Sequence, residues 1–288
     1  MSLIAVTGST GALGGRVARR LADRGLQQRL VVRDVARAPR LEGAEAAVAA
    51  GYHDHAGMVA ALRGAATLFL VSGRESATRV DEHRTAIDAA TEAGIGHVVY
   101  TSFLGAADDA TFTLARHHAA TEEHLRASGM RTTFLRNTMY LDFVPFFASA
   151  DGVIAGPAGD GRAAFVSRDD VADVAAAVLA DPTAHDGATY DVTGDERLSL
   201  AEAAEVLTEE TGRPVRYVDE TEEEAYASRA HFGAEAFEVE GWVTSYQALG
   251  AGDFDVVTDV VRRIAGHDPL RLRDLLRADP GSWAHLRG

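Results

Sequence analysis

A chain of 288 residues, 47% of them hydrophobic, can bury a large core and suits one big α/β domain or a main domain with a smaller appendage. Its 28 basic and 43 acidic residues leave a formal charge of −15, which repels nucleic acid and anionic lipid, so any nucleotide pocket must be locally basic. The absence of cysteine excludes disulfides, thiolate nucleophiles and zinc–thiolate sites, and because every basic residue is arginine, mechanisms that need a lysine are excluded as well.

No apolar run approaches the roughly 18 residues of a membrane span, and no basic leader with a cleavage site precedes the first strand-like run, so the cytoplasm is the expected compartment. That first run, Leu3-Ile4-Ala5-Val6, leads into Thr7-Gly8-Ser9-Thr10-Gly11-Ala12-Leu13-Gly14 and then a helix-like segment over 16–24. A strand, a glycine turn and a helix offer a phosphate bare backbone N–H groups, an approach free of Cβ atoms and the positive end of a helix dipole. The spacing GxxGxxG is looser than GxGxxG, but the next apolar run, 29–32, ends at Arg33, about 20 residues on, where a dinucleotide fold reads the adenosine ribose. A guanidinium there can pair bidentately with a 2′-phosphate and favours NADP(H), with Arg37 as a candidate second contact; Asp34, one residue later, would favour NAD(H) instead.

Further strand-like runs at 44–49, 67–71, 97–100 and 131–135 alternate with helix-like segments at 56–62, 80–93 and 114–128, and Gly25, Gly64, Gly94 and Gly129 stand as helix stops. The pattern predicts an α/β fold with a doubly wound parallel Rossmann sheet, and its nearly all-apolar strands predict helices on both faces. Beyond 135 the pattern becomes irregular. Helices are expected at 171–179, with Asp169 and Asp170 as cap and first-turn acids, at 199–211, from 220, at 253–264 and at 270–276, and a strand at 215–218. Residues 1–150 are thus read as an NAD(P)-binding core, and 151–288 as a mixed segment that completes it and forms a smaller, substrate-covering lobe.

Short-chain dehydrogenases place Tyr-x-x-x-Lys on the helix before the sixth strand. Here Leu114 and His118 occupy those two places, and no lysine can come from elsewhere. Carbonyl–alcohol chemistry by that dyad is disfavoured, whereas hydride transfer to a quinone-like acceptor, whose reduced oxygens can take protons from water, stays open. The histidines at 53, 55, 117, 118 and 124 invite a metal reading, but their setting fits a polar helix surface better, and no metal is expected. Ser102 follows a strand without the G-x-S-x-G elbow of a hydrolase.

Thr7–Gly14, Val32-Arg33-Asp34, Tyr100-Thr101-Ser102, the His118-x-x-Thr121-Glu122 helix, Leu135-Arg136-Asn137 and Gly266-His267-Asp268-Pro269 together resemble the atypical short-chain dehydrogenases of the NmrA-like group. Among these the chain looks most like the type 2 NAD(P)H:quinone oxidoreductases, which share Leu-x-x-x-His; the similarity is good to about residue 211 and thinner beyond. The resemblance implies that Gly8, Thr10, Gly11 and Leu13 cradle the pyrophosphate and Arg33 the 2′-phosphate. It also implies that Ser72, Thr101 and Ser102 border the ribose and nicotinamide, that His118 faces the nicotinamide ribose as the catalytic candidate, and that Asn137 lies near the ring. In relatives an Asp-Tyr pair near the adenine follows the third strand; here it reads Gly51-Tyr52. Phe103, Tyr140 and Phe143 are candidates to line the pocket of a flat aromatic or quinone-like acceptor. The group also contains nucleotide-sensing regulators without catalysis and implies, as further alternatives, tailoring reductases of aromatic or polyketide metabolites.

Overall fold

The computed structural model describes residues 2–286. The apolar runs of the first half become parallel strands, each returning through a helix or a short turn. The order is β1 (Ile4–Val6), α1 (Ala12–Asp23), β2 (Gln28–Val32), β3 (Ala44–Val48), α2 (His55–Leu62), β4 (Thr67–Leu70), α3 (Arg79–Glu92), β5 (His97–Phe103), α4 (Thr113–Ala127) and β6 (Arg131–Asn137). After these come β7 (Val153–Gly156), β8 (Arg162–Ala163), α5 (Arg168–Ala180), β9 (Thr189–Val192), β10 (Leu198–Ser199), α6 (Leu200–Thr211), β11 (Arg216–Asp219), α7 (Glu222–Arg229), α8 (Ala236–Ala251) and α9 (Leu272–Ala278).

Seven strands form one parallel sheet in the order β3-β2-β1-β4-β5-β6-β9. This is the doubly wound Rossmann order with one strand added, and its direction reverses between β1 and β4, where such sheets open a crevice at the strands' carboxyl ends. Successive side chains alternate between two cores. Ile4, Val6, Leu30, Val32, Phe69, Val99 and Leu135 pack against α1 and α5, while Ala5, Val31, Leu68, Leu70, Val98 and Tyr100 pack against α2, α3 and α4. Both faces are covered, as continuous apolar strands require.

Residues beyond 150 contribute in two ways: α5 and β9 complete the large sheet, and the remainder builds a third core around Ile154, Phe165, Leu207, Leu249, Phe254 and Leu276. That second lobe holds a parallel pair, β7 with β11, and an antiparallel pair, β10 with β8. Ser167, rather than Asp169 or Asp170, caps α5, its hydroxyl accepting the Asp170 N–H, and the two acids fill the first turn.

The helix expected at 253–264 does not form. Phe254 instead gives its carbonyl to the Ala164 N–H, and Thr258 pairs with Thr193 and the Asp191 carbonyl. Only 261–265 turns helical, as a π-helical segment that ends at Gly266.

Candidate active site

The turn between β1 and α1 uses its glycines for different reasons. Gly8 adopts φ +63°, and a Cβ there would press on Val71. Gly14 lets α1 lie directly on the turn, since a Cβ would collide with the Gly8 carbonyl. Gly11 has ordinary extended torsions and little around it: an added Cβ would meet only the Gly8 oxygen, at 3.2 Å. As N-cap, Gly11 supplies no side-chain oxygen, and no acid occupies the first turn of α1, so the helix's opening N–H groups face outward with their dipole uncompensated. Thr10 is exposed beside them, and Leu13 is buried in the core, leaving only its backbone N–H to offer.

The carboxyl ends of neighbouring strands complete a crevice. β2 ends at Val32, and Arg33 follows, exposed and without an ion pair among the described residues; Asp34 is occupied, its carboxylate accepting the Ala36 N–H at 2.9 Å as the cap of a 3₁₀ turn. At the ends of β4 and β5 the Ser72 N–H donates to the Thr101 hydroxyl at 2.7 Å. Ser102 donates its hydroxyl to Glu122 at 2.6 Å. Asn137 ends β6 and donates to the Tyr140 hydroxyl at 3.3 Å, with the Arg168 guanidinium over the Tyr140 and Phe143 rings. Ser9 Oγ, Asn137 Oδ1 and Thr138 Oγ1 are buried with no partner among the described residues. Orphaned polar atoms along the carboxyl edge of the sheet, one in the glycine turn and two at the end of β6, fit a polar ligand of nucleotide type.

His118, the catalytic candidate expected to face the nicotinamide ribose, is held by its neighbours on both sides of the ring. Its ring is buried and both nitrogens are engaged: Arg79 Nη2 donates to Nε2 at 2.9 Å, so the proton sits on Nδ1 and is given to the Tyr100 hydroxyl at 2.9 Å. Burial first, and the Arg79 charge second, hold its pKa well below the histidine range. His83 is arranged in the same way: Nε2 accepts the Gly73 N–H at 2.8 Å, Nδ1 donates to Thr121 at 2.9 Å, and burial with Arg79 pushes its pKa down to about 3.

Sequence reasoning missed Arg79, His83, Tyr100 and the hydroxyl of Tyr52, which lies 2.7 Å from that of Thr7 and ties the loop before α2 to the floor of the crevice. A signal was present in the helical spacing, since Arg79 and His83 fall on the stripe of α3 that continues through Ala86, Ile87 and Ala90 into the core. Phe103 packs edge-on to Phe112 and Phe254 and tilts against His118, giving a flat apolar wall beside this polar nest. The other polar groups of α4 are distributed among separate partners, His124 to Asp88 and Glu122 to Ser102, Arg126 and Arg136. Among the described residues no group of three or more His, Cys, Asp or Glu could hold a metal, and no helix is long and apolar enough to cross a membrane.

The chain is similar to several known proteins. Quinone oxidoreductase 2 of Escherichia coli is 36% identical over 239 residues, 80% of this chain and 82% of the relative. NAD(P)H azoreductase of Xenophilus azovorans is 31% identical over 286 residues, 98% of this chain and 99% of the relative. The crystal structure of the NADPH-dependent quinone oxidoreductase of E. coli in complex with NADPH superposes with a TM-score of 0.87 at 32% identity, covering 96% of this chain and 99% of that one. The NmrA-like family model matches residues 1–249, and the chain belongs to that family.

Proposed function

We propose that the protein is an NADPH-dependent oxidoreductase that reduces quinone-like or related conjugated acceptors at the carboxyl edge of the sheet. The observation that carries this reading is the bare amino end of α1 behind the glycine turn, with Arg33 unpaired at the tip of β2, in a chain whose family relatives are named quinone oxidoreductase and azoreductase. When bound, the dihydronicotinamide supplies hydride, the acceptor gains two electrons and one proton with it, and the second proton comes from water. The chain's own residues do the rest. The N–H groups after Gly11 and the exposed Thr10 take the pyrophosphate, Arg33 the 2′-phosphate, and Ser72, Thr101, Ser102 and Asn137 border the nicotinamide half. Phe103, Tyr140 and Phe143 line the acceptor side under a lobe drawn from 151–288. At a formal charge of −15 the partners are small molecules rather than nucleic acid or membrane, and the cytoplasm suits the cofactor.

The direct test follows NADPH oxidation with a panel of quinones, azo dyes and simple ketones. Turnover of the first two classes with poor activity on ketones is expected; tight NADPH binding without turnover of any acceptor would make the protein a nucleotide sensor instead.

Selectivity should reside in Arg33. Loss of a charge-assisted contact to phosphate costs about 1.5–3 kcal/mol, roughly tenfold to more than a hundredfold in affinity. Arg33→Ala should therefore weaken NADPH by that factor and NADH hardly at all in calorimetric titrations. Equal weakening of both would remove Arg33 from the 2′-phosphate.

His118 is proposed as a positioning residue, because its acceptor nitrogen holds Arg79 and its N–H is spent on Tyr100. His118→Ala should slow turnover about 10-fold to 100-fold, the range of a lost orienting contact. As the ring stays neutral far below pH 7, the wild-type rate should not titrate with a histidine pKa near 6.5; a fall in rate as pH rises through that value would make His118 the proton donor after all.

A further inference from the structure

Arg79 opens α3 and is only 4% exposed, yet it has no carboxylate within ion-pairing distance among the described residues. Nε donates to the Gly73 carbonyl at 2.9 Å and Nη2 to His118; Nη1 is buried and has no acceptor among the described residues. A guanidinium in this state is costly to keep, because buried cations are ordinarily paired. Around it stand Tyr52 from the loop before α2, His83 on its own helix, Tyr100 from β5 and His117 and His118 from α4. Glu75, itself shifted upward by burial, acts on it only at longer range. None of these neutral rings balances the charge, and His117 Nδ1 is a second buried nitrogen without a partner. The wall of Phe103 adjoins the same nest through His118.

Given the reductase reading above, on which this rests, we propose that Arg79 binds the acceptor oxygen that becomes negative during reduction, through Nη1, while the acceptor's ring lies against Phe103. Hydride arrival at one quinone oxygen forms its O–H bond, turns both carbonyls into C–O single bonds as the ring becomes aromatic, and leaves the electron pair on the second oxygen as a hydroquinone monoanion, which then takes a proton from water. A fixed cation in a water-poor site stabilises that oxyanion more than it stabilises the neutral quinone, so its effect falls on the transition state. An arginine cannot supply the proton, and a hydroquinonate is a weak enough base not to need it. The chain thereby has an oxyanion-stabilising cation without the lysine of the usual dyad, and His118, at the lysine's place in sequence, keeps that cation aimed.

The test uses 4-nitrophenol, a flat phenol whose colour reports its ionisation, added to the full protein saturated with NADP⁺. Beside a buried guanidinium the bound probe should ionise about one to three pH units below the free probe. Arg79→Gln should abolish that shift while leaving NADP⁺ affinity within about threefold, and Arg79→Lys should retain part of it. With a quinone, Arg79→Gln should lower kcat and kcat/KM together by about 10²–10³-fold, the range of a lost oxyanion donor. No binding of the probe to wild type, an unshifted ionisation there, or the same shift in Arg79→Gln overturns the proposal, as does a variant that loses NADP⁺ but keeps the shift. Because the oxidised nicotinamide is itself cationic, the shift is assigned to Arg79 by the difference between wild type and variant; should Arg79→Gln not fold, Arg79→Met takes its place, and an unshifted wild type overturns the proposal in either case. Absence of quinone turnover beside an intact phenolate shift would overturn the reductase reading but leave the oxyanion site.

Discussion

Gly11→Val is expected to weaken NADPH by at least roughly a hundredfold while leaving a folded protein. The torsions at Gly11 lie in the extended region open to any residue, and an added Cβ would meet only one backbone oxygen, at a tight 3.2 Å that the turn relieves by giving a few tenths of an ångström, so the fold survives at a modest cost in stability. The ligand has no such room. The two γ-methyl groups would stand in front of the first N–H groups of α1, where a pyrophosphate has to come within hydrogen-bond distance, and hydrogen bonds to a charged group carry about 1.5–3 kcal/mol each. Loss of two such contacts is sufficient for the stated effect. Gly14→Ala provides the contrast: its Cβ is driven into the Gly8 carbonyl, so it should cost stability, about 1–3 kcal/mol as an overpacked position, before it costs affinity at a given folded concentration. Isothermal calorimetry alongside thermal unfolding separates the two. Unchanged NADPH affinity in folded Gly11→Val would move the pyrophosphate away from this turn.

Why the turn could be read from sequence and Arg79 could not is a matter of what each signal depends on. The glycine turn is local: a strand, glycines at 8, 11 and 14 and a helix, all within residues 4–23, specify the geometry by themselves. The central strands were legible because burial on both faces makes them continuous apolar runs. By contrast β9, Thr-Tyr-Asp-Val, is partly exposed at the sheet's edge, and its pairing with β6 compensates for a composition that announces little. α8 was hidden by internal glycines, Gly241 and Gly250, and by aromatic and β-branched residues that lower helix propensity; packing against α4 and α7 overrides this. At 253–264 the error ran the other way, since helical periodicity was present but Thr258 and Phe254 found backbone partners across the lobe. Arg79 is a long-range construction: its partners come from residues 73 and 118, and only folding shows that its charge goes unpaired.

Glu122 is expected to be the most consequential ionised group for stability. It lies on α4 with no solvent exposure, and its carboxylate accepts from Ser102 at 2.6 Å, from Arg136 at 2.9 and 2.7 Å, and from Arg126 at 2.8 Å. Burial alone would raise its pKa, but the Arg136 and Ser102 hydrogen bonds and the Arg136 charge outweigh that and leave it below the ordinary glutamate value. A folded-state pKa below the unfolded one stabilises the fold above about pH 4.3, and the contribution is lost as pH falls through the folded value. The depressed histidines His83 and His118 act in the same direction from a higher starting point: the unfolded chain takes up their protons below about pH 6.5 while the folded chain does not, so stability declines as pH falls past that value as well. Acid unfolding should therefore set in early and steepen below about pH 4.3. Glu122→Ala should cost about 3 kcal/mol at pH 7, the lower end for breaking a buried pair because Arg126 and Arg136 both reach solvent, or roughly 6–12 °C in Tm. It should also make the low-pH limb shallower, without removing it because the Asp169 and Glu202 carboxylates are held low as well, and leave the histidine limb in place. Because Ser102 loses the acceptor that orients it, NADPH affinity should fall by less than about tenfold, the effect of one neutral hydrogen bond of about 1 kcal/mol. Denaturant titrations of wild type and variant from pH 3 to pH 8 read all of this at once, and a variant whose stability parallels the wild type across that range would show that the Glu122 network contributes no net stability to the fold.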